Sequence, residues 1–365
     1  MTVVSTLIVP ALHVSFFCTL SLIAGIAAQT FGWTGGLFCL VSIFIFSLPL
    51  YFKKLVRLSS LLLIISSSFV GSFVLEKTVK EKTLQSPLIL DYLSADVLDI
   101  KKTGNKQWPL RVTLKTKKSP PFFVYTKHTN EIMLDDKIRC PELTLKPQAD
   151  SDFRNYLLKE GVCATVFIPE FNPTLVSRPT YSWQRFLYTT KESLMYRLNK
   201  KMKRKTFAYF SSLFMGDRHR VKTTINQEKK HFERWGILHH LARSGLHLML
   251  FVMIWHLLLS AVPLSFAIKT IFIILLSVIY FILTPWSVSF TRGFHLFLLY
   301  KICSLLGLQI NTIHLLSIVC FATLLYNPFH LFFLDFQLSF FCTLCLAWLA
   351  QLRRQKQHES PKSLR

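Results

Sequence analysis

The residues with the most chemistry in this sequence lie in its most apolar half. In Gly236-Ile-Leu-His-His-Leu-Ala-Arg-Ser-Gly-Leu-His247, the side chains of His239, Arg243 and His247 recur every fourth position, and His240 and Ser244 occupy the adjoining stripe. A charged group at the centre of a membrane helix costs about 3 kcal/mol or more, so such a stripe is expected to face a bundle interior or a watery cavity. Gly236 and Gly245 let a second backbone come close or let the helix break. Two histidines eight residues apart are no metal site without further ligands. Ser244 beside His247 or His240 lacks a third group to orient it as a hydrolytic pair. The stripe is thus a polar and ionisable side of an otherwise apolar run. Arg292, in Ser289-Phe-Thr-Arg292, and Gln337 and Ser339, in Phe336-Gln-Leu-Ser-Phe340, extend that set. The plainer role for the histidines, Gln337 and Ser339 is hydrogen bonding inside a helix bundle.

Two further groups of residues carry charge or redox chemistry. Lys200, Lys201, Lys203, Arg204 and Lys205 form a basic patch, suited either to phosphates of a nucleic acid or to anionic lipid headgroups. Cys140 and Cys163 form a candidate disulfide, being the two cysteines of the segment between the apolar regions. Arg243 and Asp335 form a candidate buried ion pair. They lie seven residues beyond Gly236 and five beyond His330, and so about 10 Å deep at about 1.5 Å per residue. There is no P-loop, glycine-rich cofactor turn, zinc signature or nucleophile elbow. No enzymatic activity, cofactor or metal is expected.

The elements that must position these residues are dominated by long apolar runs. The chain has 365 residues, 51% of them hydrophobic, and a mean hydropathy of +0.39. Runs at 6–28, 35–52, 58–75, 236–262, 266–284, 290–308, 312–327 and 330–350 approach the roughly 20 residues needed to cross a bilayer. The expected fold is a polytopic α-helical membrane protein of about eight spans carrying an external small β-barrel. Lys53, Lys54 and Arg57 place the loop after the second run in the cytoplasm. Both termini are then cytoplasmic, and residues 77–235 lie outside. The division expected is 1–76, three transmembrane helices; 77–182, the external barrel; 183–235, basic amphipathic interfacial helices; 236–350, the helical membrane domain; and 351–365, a cytoplasmic tail.

The external barrel is read from short strands. Leu110, Val112 and Leu114 alternate with Arg111, Thr113 and Lys115. Similar runs lie at Phe122–Tyr125, Ile138–Leu145 and Cys163–Ile168, and Asp150, Ser151 or Asp152 can cap a helix that Gly161 ends. About five strands with one helix suggest an antiparallel OB-like barrel. The net charge is +24, of which +10 falls within 183–235.

Several of these stretches, taken in order, resemble the ComEC competence-channel family. They are Gly236 to His247 with its Ser-Gly-Leu-His turn, Gly216-Asp217-Arg218, Ser289-Phe-Thr-Arg292, Asn327-Pro328 and Phe336-Gln-Leu-Ser-Phe340. Asp136-Lys-Ile and Asp152-Phe-Arg-Asn-Tyr-Leu with Gly161-Val-Cys-Ala resemble the family's external domain. The resemblance spans about residues 20–350. It departs from the family at Gly293, where an alanine is usual, at Arg243, usually apolar, and at Asp335, usually small. The sequence reads as a shortened member, without the later spans or the metallo-β-lactamase-like domain, so no nuclease role is expected. The resemblance implies a channel component of the cytoplasmic (inner) membrane for uptake of single-stranded DNA in competence. His239, Arg243, Ser244, Gly245, His247, Arg292, Gln337 and Ser339 would line the DNA path. The partners implied are single-stranded DNA, membrane lipid and a cytoplasmic ATPase or strand-binding protein, with homo-oligomerisation open. The alternative is a non-conducting membrane scaffold that presents its OB-like domain to an envelope partner.

Overall fold

A computed structural model describes residues 14–31, 58–84, 86–90, 94–103, 105, 107–129, 132–216, 234, 245–284, 287–308 and 311–359. The second apolar run, 35–52, lies outside the described residues, as do His239, Arg243 and Ser244. The chain forms two compact units, one of residues 1–79 with 295–365 and one of residues 80–294.

The first unit holds helices α1 (Val14–Phe31) and α2 (Leu58–Lys82, to residue 79), and later helices of the chain. Small residues set the packing of α1 on α2. A Cβ built on Gly25 would lie 1.9 Å from the Ser68 carbonyl oxygen, and one on Gly71 would lie 2.4 Å from that of Leu22. Only glycine allows backbones this close, and the gap is crossed by hydroxyls: Ser67 donates to Cys18 O at 3.1 Å and Ser72 to Gly25 O at 2.8 Å.

The second unit begins with eight strands: β1 (Leu88–Leu90), β2 (Ser94–Lys102), β3 (Leu110–Thr116), β4 (Phe122–Thr129), β5 (Lys137–Arg139), β6 (Leu143–Leu145), β7 (Thr165–Phe171) and β8 (Thr174–Ser177). β1 and β6 pair with each other, and the other six form one sheet in the order β7-β4-β3-β2-β5-β8. The sequence led to about five antiparallel strands. The structure adds strands and makes one pair, β4 with β7, parallel. Pro141 and Glu142 also divide the expected 138–145 strand into β5 and β6.

The sheet cannot be flat. Its two edge strands, β7 and β8, are joined by only Asn172 and Pro173. Three Cα steps reach at most about 11 Å, whereas the edges of a flat six-stranded sheet lie about 24 Å apart. The sheet therefore curls until its edges approach, and a bulge between Val97 and Asp99 lets β2 bend to pair with both β3 and β5. Leu90, Val97, Val112, Leu114, Phe122, Val124, Ile138 and Phe171 fill the inside. Helix α3 (Ser151–Glu160) is capped by Asp150, and Gly161 ends it at φ 78°. Its Leu157 packs on Phe123, on the outer face of the sheet.

Helices α4 (Trp183–Lys201), α5 (Arg204–Leu213), α6 (Gly245–Ser260) and α7 (Phe266–Leu283) follow. Helix α8 (Val288–Leu305) straddles the boundary between the units, and α9 (Thr312–Tyr326) and α10 (Leu334–Glu359) return to the first. Among the described residues two helices are long and apolar enough to cross a membrane, Phe266–Leu283 and Leu334–Arg354. Three shorter apolar helices cover Ser15–Thr30, Gly245–Ser260 and Thr312–Tyr326. The outward faces of α6 and α7 expose Met249, Met253, Leu257, Phe266, Ile271 and Leu275.

Candidate nucleic-acid interface

In the second unit, α6 and α8 meet at two glycines. A Cβ on Gly293 would lie 3.1 Å from the Gly245 Cα, and one on Gly245 would lie 3.8 Å from the Gly293 Cα. The Ser-Gly-Leu-His and Ser-Phe-Thr-Arg elements are thereby brought together. His247 is buried, edge-on to Phe214 at 6.2 Å, and Arg292, half-buried, is the residue before the crossing glycine.

Tyr280 of α7 holds this meeting point. Its hydroxyl donates to Phe214 O at 2.7 Å. Its ring stacks on Phe251 of α6 at 4.5 Å and stands edge-on to Phe290 of α8 at 5.5 Å. Four elements thus converge on one buried side chain. Sequence reasoning did not single out Tyr280 or Phe214. The available signal was a tyrosine inside an apolar run, whose hydroxyl needs a partner when buried.

Gln337 and Ser339 belong to the first unit, and His247 and Arg292 to the second. Gln337 donates from Nε2 to Leu331 O at 2.8 Å, tying α10 to the turn at Pro328–Phe332. It also lines an apolar groove of about 200 Å³ with Thr19, Ser317, Phe336 and Phe340. The Ser339 hydroxyl is buried with no hydrogen-bond partner among the described residues.

Arg243 lies outside the described residues, so Asp335 is the described half of the expected buried ion pair. It is exposed in the first turn of α10, and its Oδ1 accepts the Phe336 N–H at 3.0 Å. A carboxylate is favoured there because the first N–H groups of a helix lack intrahelical acceptors.

Cys140 and Cys163 also differ from expectation, because both are free thiols. They are buried in the same barrel core, and Cys163 Sγ contacts Pro120 O at 3.6 Å. Burial pushes both thiols up to about 12. Nothing in their spacing specified the geometry a disulfide needs.

The basic patch lies at the turn between α4 and α5. Lys200, Lys201, Lys203, Arg204 and Lys205 are all exposed there. Behind them Met195 packs on Phe207, Ala208 and Met215. The other end of α4 exposes Tyr181, Trp183 and Phe186, with Trp183 and Phe186 stacked at 5.5 Å.

That end of α4 is fixed to the barrel by the buried carboxylate of Asp136. Arg178 donates to it from Nε at 3.0 Å and Nη2 at 2.8 Å, Arg185 from Nη2 at 2.7 Å, and the Met133 N–H at 2.8 Å. The sequence showed Asp136 only as part of a family-like stretch.

The architecture is thus a curled sheet followed by apolar helices that meet at glycines and aromatic rings. Residues 213–365 match the model of the Competence protein family, in agreement with the resemblance read from the motifs. Neither the curated proteins nor the solved structures contain a significant match to the chain.

Proposed function

We propose that this chain is a membrane component of a DNA-uptake system that passes single-stranded DNA inward during competence. The observation that supports it most is the Gly245–Gly293 crossing, which joins the helices that carry His247 and Arg292 within the segment matched by the family. A buried imidazole and a guanidinium beside a close helix crossing suit hydrogen bonding and phosphate contact better than they suit an apolar core. The exposed apolar side chains of α6 and α7 suit contact with lipid.

In this reading the curled sheet, OB-like in having a barrel with one helix, lies outside and receives the strand. The lysines and arginines of the α4–α5 turn collect phosphates or anionic headgroups, and Tyr181, Trp183 and Phe186 sit at the membrane interface, where aromatic side chains concentrate. The sequence carries no nucleotide-binding loop, so a cytoplasmic ATPase or strand-binding protein would draw the strand in. The test is uptake of labelled DNA by a strain lacking the chain. Loss of protected internal DNA is expected, restored by wild type and not by His247→Ala with Arg292→Ala. Protected DNA arriving at the normal rate in the deletion strain would overturn the proposal.

A further inference from the structure

The outer face of the barrel carries a row of side chains that the reading above leaves without a defined role. Lys101 pairs with Arg111, Arg111 with Tyr125, and Tyr125 with Phe167, so one residue from each of β2, β3, β4 and β7 stands in line. Alternation puts Lys127 on the same face as Tyr125. Tyr125 and Phe167 stack at 5.0 Å with planes 17° apart. Trp108 lies beside Phe167 at 5.3 Å, its plane tilted by 57°. It is held there by the β2–β3 connection, where the Thr103 N–H donates to Pro109 O at 2.7 Å and the Thr103 hydroxyl to Trp108 O.

Rings that merely shield a sheet are roofed over. Phe123, on the same face, is 3% exposed beneath Leu157 and Val162 of the α3 region. Phe167 is 53% exposed, and nothing among the described residues roofs it. The face is also basic. Lys101 and Lys127 are exposed, although Asp99 pairs with Lys101 at 2.8 Å. The Arg111 guanidinium lies 4.2 Å over the Phe123 ring, which holds it against the sheet beside Tyr125. The interior offers no alternative route, because it is filled by the apolar core.

We propose that this face is a stacking platform for unpaired nucleobases, with Phe167 and Trp108 taking the bases and Lys101 and Lys127 the adjoining phosphates. The proposal rests on the reading that single-stranded DNA is the cargo, and it routes the strand over the barrel rather than through it. Every base has a flat π-face, so such a platform holds any sequence, as a general uptake system requires. A bilayer surface also attracts aromatic and basic groups. Here, however, Tyr125 and Phe167 lie nearly parallel on the sheet and are flanked by cations from three strands, Lys101, Arg111 and Lys127, which matches a stacked strand.

The test uses the full chain in nanodiscs of zwitterionic lipid and a short fluorescein-labelled oligo(dT), with a duplex of the same length as comparison. Phe167→Ala, at an exposed position, is expected to weaken oligo(dT) binding about 5- to 150-fold, the loss of one base–ring stack. Duplex binding should not change, and Phe167→Trp should restore affinity. Replacing Lys101 and Lys127 with Ala should flatten the salt dependence by about 0.7 per lost phosphate contact. Unchanged oligo(dT) binding in both Phe167→Ala and Trp108→Ala, or an equal loss for single strand and duplex, would overturn the platform while leaving the uptake reading in place. Failure of the wild-type chain to bind oligo(dT) at all would overturn both.

Discussion

Arg185, in the first turn of α4, lies 2.7 Å from the carboxylate of Asp136, just ahead of β5, and so locks the helix to the barrel. Its Nη2 also donates to Leu134 O at 2.7 Å, and Ser182, the N-cap of α4, contacts the neighbouring Asp135. Burial would push the Asp136 carboxyl up. The hydrogen bonds from Arg178 and the Met133 N–H, and the charges of Arg178 and Arg185, outweigh burial and hold it below the usual carboxylate range.

A carboxyl depressed in the folded state stabilises the fold above its unfolded value, about 3.9, and that contribution is lost as pH falls through the lower folded value. The barrel should therefore lose stability below about pH 4. Asp136→Ala takes the shared acceptor from the partly buried Arg185, the more exposed Arg178 and the Met133 N–H, and should cost about 3 kcal/mol at pH 7. Asp136→Asn should flatten the acid limb of a denaturation-midpoint-against-pH profile, and an unaltered limb would assign it to other groups.

Tyr280 separates its hydroxyl from its ring. Tyr280→Phe removes one hydrogen bond to Phe214 O and should cost about 1 kcal/mol. Tyr280→Ala also removes the stack on Phe251 and should cost about 3–5 kcal/mol. Thermal melts in detergent would show the two shifts, and equal shifts would mean that the ring contributes nothing.

Gly25→Ala should destabilise the first unit more than Gly245→Ala destabilises the second. The new Cβ would collide with the Ser68 carbonyl at 1.9 Å in the first case and sit in ordinary contact with Gly293 in the second. Overpacking against backbone costs about 1–3 kcal/mol or more. Comparable melting temperatures for the two variants would contradict the α1–α2 packing described above.

Cys140 and Cys163 should resist alkylation in the native chain, because thiols pushed up to about 12 hold almost no thiolate at pH 7. Mass spectrometry after maleimide treatment should find both modified only once denaturant is added. Reducing agent should leave the melting temperature unchanged, whereas a reduction-sensitive melt would restore the disulfide.

What the sequence made legible was local. Helix α3 could be read because Asp150 and Gly161 bracket it, and both capping roles are set within a few residues. Strand β3 could be read because Val112 and Leu114 face the core while Lys115 faces out. The parallel β4–β7 pair joins Phe123 to Thr165, and Asp136 finds its arginines at 178 and 185. No pattern of alternation encodes such distant pairings. The basic residues at 200–205 were visible as charge, but their place at a turn between two helices depended on Met195 packing against Phe207. Asp335 stands at the surface for a local reason: its helix begins one residue earlier, and the Phe336 N–H holds the carboxylate there, while Arg243, the other half of the expected pair, lies outside the described residues.

The pairing of β8 with β5 also orders events during synthesis. Strands β2, β3 and β4 form a meander that can zip as soon as residue 129 has emerged. β5 can then add to β2, but its other edge waits for Leu175 and Ser177, and Asp136 lacks its arginines until Arg178 and Arg185 arrive. A chain halted before that point would carry a half-built domain with an open edge, and each added residue up to 185 brings it closer to closing. The last partner of this domain thus arrives inside the helix that follows it, α4.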